Sequence, residues 1–395
     1  MKKLAGVLLI MIGAVSIAYA KPYYKSELIF PLQAKHTHAS SIVQLSNGDF
    51  LTCWFHGSGE RTADDVLVQG ARLLKGSAKW SKPFVMADDP GFPDCNPVLW
   101  IDKSGKLWLF WAQVLAHGWQ NSLLRYRTST DYLKPGPPKW SWQNVIVLKP
   151  GEKFVKTMKQ DFKKINYDQS MWAEYAPEYV TLLEKASHNA AKRQCGWMTR
   201  IHPTVLSNGR ILLPLYSDGF NMSLIAISDD HGKTWHASKP IVGLGPTQPS
   251  ILIKKDGTLV AFLRDEGVAP FRVMESFSKD NGETWSIPIN TKFPNPSGSI
   301  QAVTLHDGNW ILIFNNSTDN RNNLMVAMSA DQGKTWPWRR YLDNSKELSV
   351  SYPSAIQSKD GLIHITYSYV KDKKESIKYA VINEDWIKQG NKKNI

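Results

Sequence analysis

One eight-residue pattern, Ser-x-Asp-x-Gly-x-Thr-Trp, occurs three times in this chain of 395 residues. It occupies 228–235, 278–285 and 329–336, and its tryptophans, Trp235, Trp285 and Trp336, stand 50 and 51 residues apart. A fixed period of that length means one supersecondary unit used repeatedly, each copy stacked on its neighbours to bury a shared core. The pattern has a local mechanism as well. Asp and Ser side chains satisfy the backbone of a turn, Gly supplies a positive φ, and Trp packs beneath. Such a turn constrains architecture and carries no chemistry of its own.

A second repeat counts the units. Six segments follow the plan apolar strand, glycine turn, apolar strand. Their turns are Asn47-Gly48, Ser104-Gly105, Asn208-Gly209, Asp256-Gly257, Asp307-Gly308 and Asp360-Gly361. Asn-Gly and Asp-Gly between apolar runs are strong hairpin signals. A third strand and a tryptophan turn follow, as in 324–328 before the last repeat. Six units predict an all-β fold, a six-bladed β-propeller over residues 21–395. The stretch 152–194 breaks the pattern. It is charged and spaces Phe154, Met158 and Phe162 helically, which predicts a helical insertion between blades two and three. Two placements fit it: a lid over the channel mouth with Trp172 and Tyr175 as contacts, or packing on the outer rim.

The chain opens with Met1-Lys2-Lys3, an apolar run over 4–18 and Ala18-Tyr19-Ala20. That order reads as a signal peptide cleaved after Ala20 and predicts a periplasmic or secreted protein. No other run approaches the length of a membrane span. Three cysteines are too few for a disulfide scaffold; Cys53 reads as a core residue, and Cys95 with Cys195 is the one candidate pair. The net charge of +13 favours anionic partners, or simply a solvated basic surface. Nucleic-acid binding would rest on charge alone and is not expected. No zinc spacing, P-loop or dinucleotide fingerprint is present, so no metal or cofactor is expected.

In a propeller the first strand of each blade lines the central channel, and ligands bind at its mouth. Alignment on the glycine turns and prolines selects Asn96, His202, Gln248 and Tyr352, each preceding a proline, with His38 and Ser297 or Ser299 in blades one and five. The second strands end nearby with His56, Gln113, Arg264-Asp265 and Asn315-Asn316, and Arg321 opens a third strand. Arg264, Arg321 and Arg200 near one axis suit a carboxylate ligand, which guanidinium forks bind through two oxygens. The loop 57–65 carries Glu60, Asp64 and Asp65, any of which could bring a carboxylic acid to a leaving-group oxygen.

These features resemble the sialidase (neuraminidase) family of Asp-box, or BNR-repeat, propellers, in its bacterial predicted-neuraminidase branch. The three repeats match the Asp-box. Phe262-Leu263-Arg264-Asp265 is similar to the second sialidase arginine, and 315–321 to the third. Tyr352 resembles the nucleophile, and Asp64 or Asp65 the acid loop. The segments 196–203 and 294–297 are similar to that branch. The resemblance implies that Tyr352 attacks the anomeric carbon while Arg264 and Arg321 hold a carboxylate. Two departures stand out. His38 replaces the first arginine, and the glutamate that activates the tyrosine falls on Ile253.

The expected function is therefore that of an exported glycoside hydrolase acting on terminal, acidic sugars of a glycan. Its catalytic candidates are Tyr352, Asp65, Asp64, His38 and His202; its binding candidates are Arg264, Arg321, Arg200, Gln248, Asn96, Glu60 and Asp265. A polysaccharide lyase or non-sialic glycosidase using His and Tyr, and a non-catalytic glycan-binding propeller, are the alternatives.

Overall fold

The computed structural model describes residues 21–167, 171, 173–176 and 178–390. The signal-peptide segment 1–20, the lid candidate Trp172 and the terminal Lys392-Lys393 lie outside them.

Six antiparallel sheets follow one another along the chain. Blade four shows the plan. Pro246–Ile253 descends along the channel, Leu259–Asp265 returns, Arg272–Ser278 descends again, and Ile289–Pro294 forms the outer edge. Central strands read as continuous apolar runs because both faces pack on neighbouring blades; in Trp310–Phe314 every residue is buried. Each blade interface holds its own cluster. Ile225, Ile251 and Leu263 join blades three and four, and Phe262, Trp310 and Phe314 join four and five. The six-bladed propeller predicted from the hairpin repeat is the observed architecture.

The last blade is completed from the other end of the chain. Tyr24–Leu28 pairs with Lys374–Ile382, in the register Tyr24 to Ile382 and Leu28 to Lys378. The ring is thus closed by its first strand, which belongs to no hairpin repeat.

The three repeated turns share one set of bonds. In the first, Ser228 Oγ accepts from Gly232 N at 2.8 Å, Asp230 accepts from Thr234 N and Oγ1 at 2.9 and 2.6 Å, and Trp235 Nε1 donates to the Gly232 carbonyl at 3.2 Å. Asp280 and Asp331 repeat the pattern with Thr284 and Thr335. Leu259, beside the turn glycine Gly257, pairs with Ser278. The repeated turns therefore lie at the glycine-turn end of the blades, away from Arg264.

The insertion forms three helices, α1 (Glu152–Phe162), α2 (Tyr179–Ser187) and α3 (Ala190–Gln194). The buried face of α1 (Phe154, Met158, Phe162) joins the core of blades two and three, with Phe154 against Trp197 and Phe220. Both expected placements meet here. The helices pack on the rim, while the segment between α1 and α2 brings Met171, Ala173 and Glu174 to the wall of a cavity at the channel mouth. Tyr175 packs on Phe220 and donates to the Gln120 carbonyl at 3.2 Å. Cys53, Cys95 and Cys195 are all free, so the candidate Cys95–Cys195 pair is not formed; Cys95 sits in the apolar layer beneath the mouth with Ala39 and Phe55.

Candidate active site at the channel mouth

Four inner strands bulge at the same level. Register shifts between His38 and Ser41, Cys95 and Val98, Thr247 and Ser250, and Ser351 and Ser354. Inside each gap one residue is left-handed: Ala39 (φ 57°), Asn96 (51°), Gln248 (51°) and Tyr352 (56°). Each lies nine residues before its turn glycine, Gly48, Gly105, Gly257 or Gly361. Bulges re-aim a side chain, and left-handed residues other than glycine are uncommon. Here the device brings Gln248 to the Tyr352 hydroxyl and Asn96 to the Tyr216 hydroxyl.

Tyr352 is the centre of the cluster. Its hydroxyl accepts from Arg264 Nη1 at 2.9 Å and from Gln248 Nε2 at 3.5 Å. Arg200 and Arg321 flank its ring, their guanidinium carbons 5.1 and 5.5 Å from the centroid. The His38 ring lies 4.1 Å from the Tyr352 ring, centroid to centroid. Burial, then the charges of His36, Arg321, Arg200 and Arg264, hold the His38 imidazole well below its ordinary pKa, so it is neutral. Arg264 Nε and Nη2 hold Ser297 Oγ at 3.2 and 3.0 Å, and Arg321 Nη2 donates to the Ser297 carbonyl at 2.5 Å. Arg264 also closes an ion pair with Glu266. Burial opposes the Arg264 charge, but Glu266 and its neighbours raise its pKa.

Three expected members lie elsewhere. His202 is below the bulges: its Nε2 meets Ser41 Oγ at 3.2 Å and Ser354 Oγ at 3.4 Å, and its ring lines a cavity of about 640 Å³ at the opposite, glycine-turn end. Its proline, Pro203, is shifted along blade three, so proline alignment misplaced it. The glycine spacing instead puts Arg200 at the bulge position. Arg200 is buried and donates to the carbonyls of Ser40, Tyr352 and Pro353 at 3.2, 2.6 and 3.2 Å; it braces the tyrosine strand from behind rather than facing the mouth. Asp265 alternates to the face opposite Arg264; it accepts from Gly267 N and Arg272 N, both at 2.8 Å, holding its own loop. Ile253 is at the far end of its strand, and the group beside the tyrosine oxygen is the Gln248 amide.

The second-strand ends divide similarly. Gln113 accepts from Arg125 at 3.0 Å, Asn315 donates to the carbonyls of Asn323 and Val350, and His56 meets Thr37 Oγ1 at 3.1 Å. These bonds tie strands together. Asn96 donates to the Tyr216 hydroxyl at 3.0 Å.

The loop after blade one's second strand reaches the rim. Asp65 accepts from Ser58 N and Oγ at 2.8 and 2.6 Å and from Lys35 at 3.1 Å. The Ser58 bonds hold its carboxyl down to about 2. Asp64 meets His117 Nε2 at 2.7 Å and is exposed. Glu60 is half-buried, and its charge acts on Arg321, His36 and Asp218. The mouth itself is a cavity of about 440 Å³ lined by Arg61, Trp119, Glu174, Asp218, Glu266 and Ser297 among others.

Tyr216, Asp218 and Glu266 escaped the sequence reading, yet a signal existed. Tyr216 and Arg264 each stand seven residues after the turn glycines Gly209 and Gly257; Asp218 and Glu266 stand nine after. Two neighbouring blades thus present a polar residue and a carboxyl at matching positions. Gly245 (φ 76°) allows the close approach that seats Glu266: a Cβ there would meet the Glu266 carbonyl carbon at 2.3 Å. Among the described residues no group of three or more His, Cys, Asp or Glu is placed to hold a metal, and no helix is long and apolar enough to cross a membrane.

Known proteins share this architecture. A protein of unknown function from Dyadobacter fermentans superposes with a TM-score of 0.67 at 16% identity, covering 91% of this chain and 99% of that one. The NanB sialidase of Streptococcus pneumoniae gives 0.67 at 13%, covering 91% and 71%. At such identities the likeness is one of fold. In sequence the chain is 27% identical over 170 residues to a sialidase of Micromonospora viridifaciens, covering 40% of this chain and 25% of that one. It is 27% identical over 179 residues to the anhydrosialidase of Macrobdella decora, covering 40% and 23%. The chain thus spans about a quarter of the length of these two relatives. The family pattern matches far more of it: over residues 48–178 and 185–365 it carries the BNR repeat-like domain, and the chain belongs to that family of sialidase-like propellers.

Proposed function

We propose that this propeller hydrolyses the terminal glycosidic bond of an acidic sugar in a glycan. The observation that carries the reading is the Tyr352 hydroxyl held at 2.9 Å by Arg264, with Arg321 beside the same ring and Ser297, which both arginines hold, on the wall of the mouth cavity. Tyr352 attacks the anomeric carbon, and its phenolic proton passes to the neutral imidazole of His38. A phenol approaches an anionic sugar with less charge repulsion than a carboxylate would. Arg264 and Arg321 hold the sugar carboxylate, whose charge between them also makes His38 a better base. A carboxyl at the mouth gives its proton to the leaving oxygen. Asp64 and Asp65 are the loop candidates for that step, and the bonds on Asp65 count against it. An exported protein of periplasmic or secreted location would meet such glycans outside the cytoplasm.

A second reading rests on His38. A neutral imidazole against a tyrosine, among arginines, suits β-elimination on a uronate: His38 takes the C5 proton, Tyr352 gives its proton to the departing oxygen, and the electron pair forms the new double bond. One screen separates the two. Sialosides, uronate oligosaccharides and rhamnosyl-uronates are incubated with the protein, and products are read by chromatography and by absorbance of an unsaturated uronide. A released acidic monosaccharide supports hydrolysis; the unsaturated product supports elimination; binding without turnover of any of them makes the propeller a glycan-binding module and ends both readings.

A further inference from the structure

We propose that Asp218 is the acid that protonates the leaving-group oxygen, so that the proton comes from the third blade rather than from the loop 57–65. The proposal rests on the hydrolase reading of the same site and names a residue that reading leaves open.

The placement follows from the fold. Asp218 is the residue after the strand Ile211–Ser217, at the mouth end of blade three. The Asp218 charge acts on Tyr216, two positions earlier, and Tyr216 is bonded to Asn96 of the bulge layer at 3.0 Å. The main chain is clamped by the insertion: Glu174 N donates to the Asp218 carbonyl and Tyr175 N to the Gly219 carbonyl, both at 3.2 Å. The carboxyl itself lines the mouth cavity together with Ser297, which Arg264 and Arg321 hold. Its Oδ1 is shielded from water and has no hydrogen-bond partner among the described residues. A carboxyl so placed is costly as an anion.

The surrounding charges point the same way. Facing Asp218 are Glu266 from blade four, Glu174 from the insertion and Glu60 from the blade-one loop, with Arg264 as the opposing cation. Burial first, then Glu266, push Asp218 well above its ordinary pKa, which favours the protonated acid. Asp65 is the reverse case, pinned as an anion by Ser58 and Lys35. Two carboxyls whose environments push them apart mark acid and non-acid roles. In the step, the anomeric C–O bond breaks and its electron pair stays on the leaving oxygen. That oxygen takes the Asp218 proton while Tyr352 takes the sugar. The Asp218 carboxylate then removes a proton from the water that opens the tyrosyl intermediate, the C–O bond to Tyr352 breaks with its electron pair on the tyrosine oxygen, and His38 returns the phenolic proton there, so that both acid and tyrosine are restored.

Two measurements on the full chain test this. Carbon NMR of aspartate-labelled protein should show a carboxyl titrating well above the ordinary aspartate range that disappears in Asp218→Asn; its absence overturns the proposal without any substrate. Kinetics then compare 4-methylumbelliferyl glycosides, whose phenol leaves without help, with unactivated disaccharides of the same sugar. The sugars tried are a sialoside, a uronide and a neutral glycoside. Asp218→Asn should lower kcat/KM on the disaccharide by roughly 10²–10⁴-fold and on the aryl glycoside by less than about tenfold. An equal loss on both, no loss on either, or the selective loss in Asp64→Asn or Asp65→Asn instead, overturns the assignment. Wild-type inactivity on every glycoside is a different failure: it removes the hydrolase reading on which the step rests.

Discussion

Arg264 Nη1 lies 2.9 Å from the hydroxyl of Tyr352, across 88 residues of sequence and from the fourth blade to the sixth. The contact exists because a bulge turns Tyr352 off its strand at a left-handed residue, while Arg264 comes from a regular strand end. Tyr352 and Arg264 are thereby one hydrogen-bonded unit.

Removing the tyrosine oxygen should separate chemistry from folding. Tyr352→Phe keeps the ring that packs on His38 and Arg200 and loses a single acceptor. We expect kcat to fall by orders of magnitude on the substrate identified by the screen, with stability changed by about 1 kcal/mol. Steady-state kinetics and thermal unfolding of one preparation read both. Full activity would eliminate tyrosine catalysis.

Arg264→Ala should discriminate between sugars. It removes charge-assisted bonds to a substrate carboxylate, each about 1.5–3 kcal/mol. We expect kcat/KM for an acidic sugar to fall about ten- to hundredfold for each bond lost, and much less for the neutral analogue. Equal losses on both sugars would mean the arginine serves Tyr352 and Ser297 alone.

His38→Arg tests the missing first arginine of the resemblance. The site already gathers Arg200, Arg264 and Arg321 around His38. A fourth guanidinium would remove the only neutral base beside the tyrosine. Turnover should be abolished with the fold intact by circular dichroism; retained or raised activity on sialosides would show that the position only clamps carboxylate.

Two buried histidines should register acid, His202 in the channel and His364 between Phe50 and Tyr379 at the seam of blades six and one. Burial holds His202 and His364 down to about 4, against an ordinary 6.5. The unfolded chain therefore binds protons that the folded chain refuses. Stability is full above pH 6.5 and declines as pH falls toward 4, by about 3 kcal/mol for each ring. Urea unfolding at pH 7 and pH 4 should show that decline, and His202→Gln should shrink the difference by about 3 kcal/mol. An unchanged difference would mean that the ring does not stay neutral in the folded channel.

Turn and site should be independent. Asp280→Ala deletes three acceptor bonds in the second repeated turn, to Ser278 and Thr284. At about 1 kcal/mol for each bond it should cost roughly 2–3 kcal/mol, while kcat and KM stay at wild-type values. A kinetic change would place these turns nearer the chemistry than the topology does.

Much of this was legible without coordinates, for physical reasons. The glycine hairpins recur because each blade needs the same left-handed turn, so their number counts the blades. Asn96, Gln248, Arg264 and Tyr352 were found because they sit at fixed offsets from those turns. His202 was misplaced because proline marks the bulge in three blades but is shifted in blade three. Arg200 and Asp265 looked like ligand groups because the sequence does not show which buried carbonyls and amides need a partner. Asp218 and Glu266 lie one step beyond the strand ends, where periodicity stops. The Gln248–Tyr352 contact depends on a backbone twist that composition does not encode.

The closing strand has a consequence in time. Tyr24–Leu28 finds its partner only in Lys374–Ile382, some 350 residues later. A chain made from its N-terminus must leave that edge unpaired until almost everything else exists. Contacts of such separation are slow to form. Tyr352 belongs to this same last blade, so the blade that carries it is completed only when the two ends of the chain meet.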